Sequence, residues 1–435
     1  MKPSARKWVR LDNAAKIYPA ASSRKWSAIF RFSADFTEDV DPLLLQRALE
    51  RMEPRFPVFF MRLRRGLFWY YLEQSDGCPR VQPEGPYPCA PLLPRSNQGF
   101  SFRVLYYHNR VAVEFFHVIA DGTGGLCFLK TLAAEYLTLR YGADIPRDGA
   151  ILCCGDAPCE AEMEDSFLRY AGNVAVSRAE SSAYHMDGTR EEDFVHLTTG
   201  SMPADAVCAK AKELGVSVNT FLVAVMLDAL LEIQAAEGVP RRFRRPVKVC
   251  VPVNLRRLFP SATLRNFSSF LNPGVDPRLE TYTLGEIAKA VYHYMGANAS
   301  RQQLGARFSS NVISEKSPVL RLTPLFLKDL ALKIAFISFG DTKSSTTISN
   351  IGVVELPEAM RRYVLRMDMV LGPLNINPAC CAVLTYGGTL RFNIVRVIRE
   401  PALERAFFTR LVQLGIPVEI ESNQKREEAS KCPTV

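Results

Sequence analysis

Two stretches of this 435-residue chain, 279 positions apart, share a pattern that few architectures accommodate. Residues 101–133, SFRVLYYHNRVAVEFFHVIADGTGGLCFLKTLA, align without gaps on residues 380–412, CCAVLTYGGTLRFNIVRVIREPALERAFFTRLV, with seven identities. In each, an apolar run meets a two-residue turn, His108-Asn109 or Gly387-Gly388, and a second apolar run leads into helical spacing. Apolar runs parted by two turn formers predict a β-hairpin. Apolar residues at three- and four-residue intervals predict the helix behind it. The repetition predicts a shared α+β architecture, one hairpin-and-helix unit in each of two lobes.

Residues 1–145 read as the first lobe. KWSAIFRFSADF alternates like a half-buried strand, and DPLLLQRALERM is a helix starting near Asp41 or Pro42. RFPVFFMRLRRGLFWYYLEQ reads as strands with a tight turn at Arg65-Gly66. Periodicity fades over residues 146–193, which are polar, acidic and turn-rich, as expected of a linker between lobes. Residues 194–422 form the second lobe: FVHLTTGSMP and VKVCVPVNL read as strands, DAVCAKAKELGV and NTFLVAVMLDALLEIQAAEG as helices. Residues 423–435 read as a frayed tail.

A composition of 48% hydrophobic and 23% charged residues suits a soluble globular protein. The apolar segments FLVAVMLDALLEI and LALKIAFISF are short and carry charges, so both are expected to be core helices rather than membrane spans. The N-terminal MKPSARKWVRLDNAAKIYP lacks an apolar signal region. The 11 cysteines are scattered, with Cys127 and Cys250 inside apolar segments as small core residues, so a reduced, cytoplasmic protein is expected. CCGDAPC matches no strong metal spacing and reads as a loop. A net charge of +9 suits nucleic acid, an anionic membrane surface or a polyanionic small molecule. The densest basic run, RRFRRPVK, lacks a row of stacking aromatics and reads as a solvated loop, so nucleic acid is not the expected partner.

The chemistry concentrates in EFFHVIADGTGG, residues 114–125. His117 falls at a strand end, where an imidazole can project into a cleft and act as a base near neutral pH. Asp121 sits where the chain turns and is suited to hold the loop through turn amides or a buried arginine. Gly122, Gly124 and Gly125 permit positive φ and close backbone approach. In the repeat, His117 falls on Arg396 and Asp121 on Glu400, which predicts one active site per chain. His108, His185, His196 and His293 are expected in a turn, the linker, a strand and a helix, with no part in the chemistry.

HVIADG resembles the H-x-x-x-D-G signature of the CoA-dependent acyltransferases of the chloramphenicol acetyltransferase fold, a superfamily that includes condensation domains of peptide synthetases. TTISNIG (346–352) is similar to the T-I-S-N-x-G run of dihydrolipoyl acyltransferases, and VCVPVNLRRLFPSATLRNFSSF (249–270) to the P-V-x-x-R followed by N-F in microbial alcohol acetyltransferases and condensation domains. LDNAAKIYP and GLFWYYLE look like the bacterial alcohol-acetyltransferase-like members. The resemblance implies mixed, mostly antiparallel sheets in two lobes, with a tunnel between them that thioester and acceptor enter from opposite ends. It implies His117 as general base, Ser349 as oxyanion donor, and Asn266 and Asn350 on the tunnel wall. Asp121 and Gly122 would shape the loop, with Asp121 salt-bridged to Arg256 or, failing that, Arg31. No resident metal or cofactor is implied. Acyl-CoA or a phosphopantetheine thioester would be co-substrate, a small alcohol or amine the acceptor, and the protein a monomer. Phe116 replaces the first histidine of the condensation-domain H-H-x-x-x-D-G, and the D-F-G-W-G run of plant alcohol acyltransferases is absent, so substrate preference does not carry over. A condensation-type enzyme served by an acyl carrier protein, and a non-catalytic ligand-binding relative, are the alternatives.

Overall fold

The protein is described by a computed structural model covering residues 7–424 except 24, 93–96, 175, 177–179 and 193. In the first lobe the chain forms helix α1 (Ile17–Ala21), strand β1 (Ile29–Phe36), α2 (Pro42–Met52), β2 (Met61–Arg65), β3 (Tyr70–Gln74), the hairpin β4 (Phe102–Tyr107) and β5 (Arg110–Phe116), then α3 (Gly122–Tyr141). Asp41 caps α2 by accepting from Leu43 N and Leu44 N, which turns Leu45, Ala48, Leu49 and Met52 onto the core. β5 lies between β4 and β1, antiparallel to both. Under this sheet the rings of Phe59, Phe115 and Phe128 interlock, with Phe59 stacked on Phe128 at 5.1 Å. Residues 57–60, expected in a strand, form turns, and the β2–β3 turn spans Gly66–Trp69, closed by Gly66 N to Trp69 O at 3.0 Å.

The second half contributes β6 (His196–Pro203), α4 (Ala204–Glu213), α5 (Val218–Ala236), β7 (Val247–Asn254), β8 (Ser268–Leu271), α6 (Leu284–Asn298), α7 (Arg301–Lys316), α8 (Pro318–Leu322), α9 (Leu325–Phe339), β9 (Thr346–Val353), β10 (Val364–Leu371), β11 (Ala379–Tyr386), β12 (Thr389–Arg396), α10 (Ala402–Gln413) and β13 (Glu419–Ser422). Its sheet runs β8-β7-β9-β11-β12-β6-β13, parallel at β7–β9 and β9–β11 and antiparallel elsewhere. α5 alone, among the described residues, is long and apolar enough to cross a membrane, and it forms the centre of the second core with Phe221 to Leu227 fully covered. The repeat holds in register: Tyr107 faces Arg110 across one hairpin turn, Tyr386 faces Thr389 across the other, and a helix follows each.

One strand crosses the division between the halves. β10 pairs antiparallel with β1, Met369 opposite Phe32, and so completes the first sheet. It is also tied to the second sheet, because Asn393 Nδ2 donates to Met369 O at 2.9 Å and Tyr386 Oη to Val364 O at 3.0 Å.

Three expectations are corrected here. The segment LALKIAFISF is no core helix: α9 buries Lys328 and leaves Phe326, Leu330 and Ile334 exposed. Cys250 lines a cavity instead of filling the core. The start of the expected tail is held, since Asn423 exchanges hydrogen bonds with Leu197 through Leu197 N to Asn423 Oδ1 at 2.8 Å and Asn423 N to Leu197 O at 3.2 Å; the tail beyond Gln424 lies outside the described residues. Cys153, Cys154 and Cys159 lie in a turn-rich loop, and the RRFRRPVK run is an exposed turn leading into β7.

Candidate active site

β5 ends at Phe116, and the next amide, His117 N, donates to Ala28 O at 2.9 Å. This last bond beside β1 fixes the backbone, and the imidazole then stacks on Tyr18 at 4.6 Å with its edge against Phe30 at 4.9 Å. The ring lines a cavity of about 1380 Å³ walled by both halves of the chain. Opposite, β9 supplies Ser349 and Asn350 to the same cavity. Strand alternation explains Ser349: Ile348 is buried in the second core, so its neighbour faces away from it.

The partners of Asn266 decide which imidazole nitrogen is free. Asn266 Nδ2 donates to Asp12 Oδ2 at 3.1 Å and to His117 O at 3.0 Å, two atoms that only accept when Asp12 is ionised. Its Oδ1 therefore points at His117 Nδ1, 2.8 Å away, and must receive a proton from it. Nδ1 carries the hydrogen and Nε2 keeps its lone pair. Burial pushes the imidazole below its ordinary value, against the opposing effects of the Asn266 bond and the Asp121 charge, so the ring is neutral at pH 7. Asp12 is itself buried, which pushes its carboxyl up while the Arg265 guanidinium, 3.7 Å away, pulls the other way.

Asp121 is saturated. Oδ1 accepts from Thr123 N at 3.1 Å and Gly124 N at 3.3 Å, capping α3, while Oδ2 accepts from Arg256 Nη1 at 2.7 Å and Phe267 N at 2.8 Å. Arg256 spends its other donors on Thr263 O, Arg265 O and Asn254 Oδ1. Arg31 is engaged elsewhere, with Glu84 at 2.7 Å and Glu114 at 3.4 Å. With every Asp121 lone pair occupied, the carboxylate holds the loop and relays no proton. The glycines serve close approach and not positive φ: a Cβ on Gly124 would lie 1.9 Å from Leu264 O, and one on Gly122 2.7 Å from Ile351 Cδ1.

Asn266 is not on the cavity wall, as its expected role required; it is buried behind the imidazole, where its amide has no room to meet a ligand. Asn350 does line the cavity, but its Oδ1 accepts from Gly352 N at 2.8 Å and its Nδ2 faces Asn219 Oδ1 at 3.3 Å. Asp12 and Tyr18 went unnamed in the sequence reading although both lie in LDNAAKIYP, a stretch singled out only as a likeness. In the repeat, Arg396 replaces His117 as a buried cation whose Nε donates to Glu404 Oε1 at 2.6 Å, so the second lobe carries an ion pair where the first carries an imidazole. Of the five histidines, His117 is the one that lines the cavity; His196 bonds Glu191 at 2.5 Å and His185 bonds Asn377 at 2.7 Å.

No family model matches the sequence. Uncharacterised proteins from two strains of Mycobacterium tuberculosis are 24% identical over 294 residues, 65% of this chain and 66% of their own length, so the match covers just under two thirds of those relatives. Solved structures match almost end to end. A trichothecene 15-O-acetyltransferase from Fusarium sporotrichioides has a TM-score of 0.60 at 10% identity over 94% of each chain. The first condensation domain of the calcium-dependent antibiotic synthetase gives 0.60 at 17% identity over 94% of this chain and 96% of its own. The chain has the CoA-dependent acyltransferase fold. Polyketide synthase associated protein 5 from Mycobacterium tuberculosis shares it, with a TM-score of 0.58 at 13% identity over 93% of this chain and 98% of its own. In the acyltransferase fold of this chain, the cavity is bounded by one lobe through His117 and the other through Ser349.

Proposed function

We propose that the protein transfers an acyl group from a thioester to a small alcohol or amine, with His117 as general base. Nε2 takes the acceptor's proton as the acceptor oxygen or nitrogen attacks the thioester carbonyl. The new bond leaves negative charge on the carbonyl oxygen, and the Ser349 hydroxyl donates to it. Collapse breaks the C–S bond, and the departing thiolate recovers the proton from the imidazolium. The observation that carries this reading is the imidazole's orientation: a neutral ring with Nδ1–H bound to Asn266 leaves Nε2 as the basic atom of a histidine on the cavity wall. A binding protein has no need of that arrangement.

A carrier-protein thioester in place of acyl-CoA is the second reading, favoured by the likeness to a condensation domain along 94% of the chain. The test is thiol release from acyl-CoAs, and in parallel from acyl-phosphopantetheine on a carrier protein, with panels of alcohols and amines. His117→Ala should lower turnover by about 10²–10⁴. Ser349→Ala should lower kcat by about 10² with KM unchanged. A fully active His117→Ala variant, or the absence of thiol release from every donor, overturns the reading.

A further inference from the structure

Helix α9 is turned inside out. Lys328 is 1% exposed, its Nζ donating to Phe68 O at 2.9 Å and lying 3.6 Å above the Trp69 ring. Phe326, Leu327, Leu330 and Ile334, on the other side, are 46–62% exposed. A surface helix normally reverses this arrangement. Further exposed apolar residues lie on the preceding α8, Val319 at 78% and Leu322 at 74%, and on the β2–β3 turn, Leu67 at 72%. Leu325 N donates to Leu67 O at 2.9 Å, which fastens that turn to α9. So many large apolar side chains exposed on neighbouring stretches of chain mark a surface that something covers.

The surrounding charge indicates what covers it. The exposed ionisable residues of segment 316–334 are Lys316, Arg321 and Lys333, all cationic. The nearby carboxylates are already engaged: Glu315 by Lys16 and Asn13, Asp329 by Tyr70 and Arg65. Two copies meeting through this face would bring like charges together. Inward, Leu332, Ala335 and Phe336 of α9 line the cavity, with Phe336 stacked on Trp26 at 4.2 Å. One helix therefore separates the outer apolar face from the cavity.

We propose that α8, α9 and the β2–β3 turn dock on an anionic phospholipid surface, the apolar side chains entering the headgroup region while the flanking cations meet phosphates. The docking is independent of acyl transfer, and its test reads no turnover. The full chain is floated with vesicles of equal parts phosphatidylcholine and phosphatidylglycerol, and with phosphatidylcholine alone. Flotation with the anionic vesicles that weakens in high salt is expected. The double variant Phe326→Glu/Leu330→Glu should partition roughly tenfold or more less, as expected when two apolar anchors become carboxylates. Leu322→Glu in α8 should weaken binding independently, whereas Leu279→Glu, on an exposed loop of the second half, should not. Unchanged melting temperatures establish that each variant is folded. A wild-type chain that floats with neither vesicle, or a double variant that floats as well as wild type, overturns the proposal. So does a concentration-dependent dimer dissolved by the same substitutions, which would give the face to a second copy.

Discussion

An asparagine amide is a poor acid and a poor base, so Asn266 acts on His117 only through the direction of its dipoles. Its two donor bonds to Asp12 and His117 O leave one orientation for its oxygen, and that fixes the imidazole tautomer. Asn266→Ala should lower kcat/KM by up to roughly 10²-fold, since the ring loses its alignment. The bond from Nδ1–H favours the protonated ring, so removing it should also move the acidic limb of the pH–rate profile to lower pH. An unmoved limb would leave Asn266 as packing alone. Folding stability has a matching sign: the unfolded imidazole, at its ordinary value near 6.5, takes a proton that the folded one resists, so stability from His117 is lost as pH falls below that range. Asp121→Asn should strand the Arg256 guanidinium and cost about 3–5 kcal/mol, read as a lower melting temperature accompanying lost activity. An unchanged melting temperature would contradict the structural role. That Asp121 meets turn amides and a buried arginine was legible from its place in the turn, whereas Arg256 was named as its partner through the resemblance. Asp12 was not legible, because its burial depends on Arg265 and Asn266, far along the chain, and one aspartate in a short polar stretch carries no periodicity.

At the scale of elements, the start of α3 and the segment around Leu264 are pressed together without a side chain between them. Gly124→Ala should force that segment away and, with it, Asn266 and Arg256. Expected are a lower melting temperature and a loss of kcat exceeding that of Gly142→Ala, which lies at the far end of the same helix with φ of 64° and an open Cβ direction. Equal kinetic losses in the two variants would remove the coupling between that contact and the site. The paired hairpins were readable because two turn formers between apolar runs leave little freedom in register. α9 was misread for a different physical reason. Spacing reveals that a helix has an apolar side but not whether that side meets protein, and Lys328 looks like a surface residue until Trp69 and Phe68 are seen to enclose it. The glycines of the loop were correctly tied to crowding and wrongly to left-handed backbone, since crowding depends on a distant carbonyl that sequence spacing does not report.

For the whole molecule, the cavity exists because the lobes face each other, and β10 is the strand through which the second half completes the sheet of the first. The division of the sequence into consecutive lobes missed this, because β10 reads like any other half-buried strand and nothing local announces its partner. The segment 1–145 made alone should have an open β1 edge and run as soluble aggregates on size exclusion with weak near-UV circular dichroism. The same segment carrying residues 364–371 on a flexible linker should recover a monomer with ordered aromatic signals; a monomeric, ordered bare fragment would show that β10 is dispensable. During synthesis the outermost strand of the first sheet arrives only after Leu371 has left the ribosome, by which time Ser349 has already emerged. The stretch of cavity wall that Met369 and Leu371 supply is therefore added in one late step, after both His117 and Ser349 have been made.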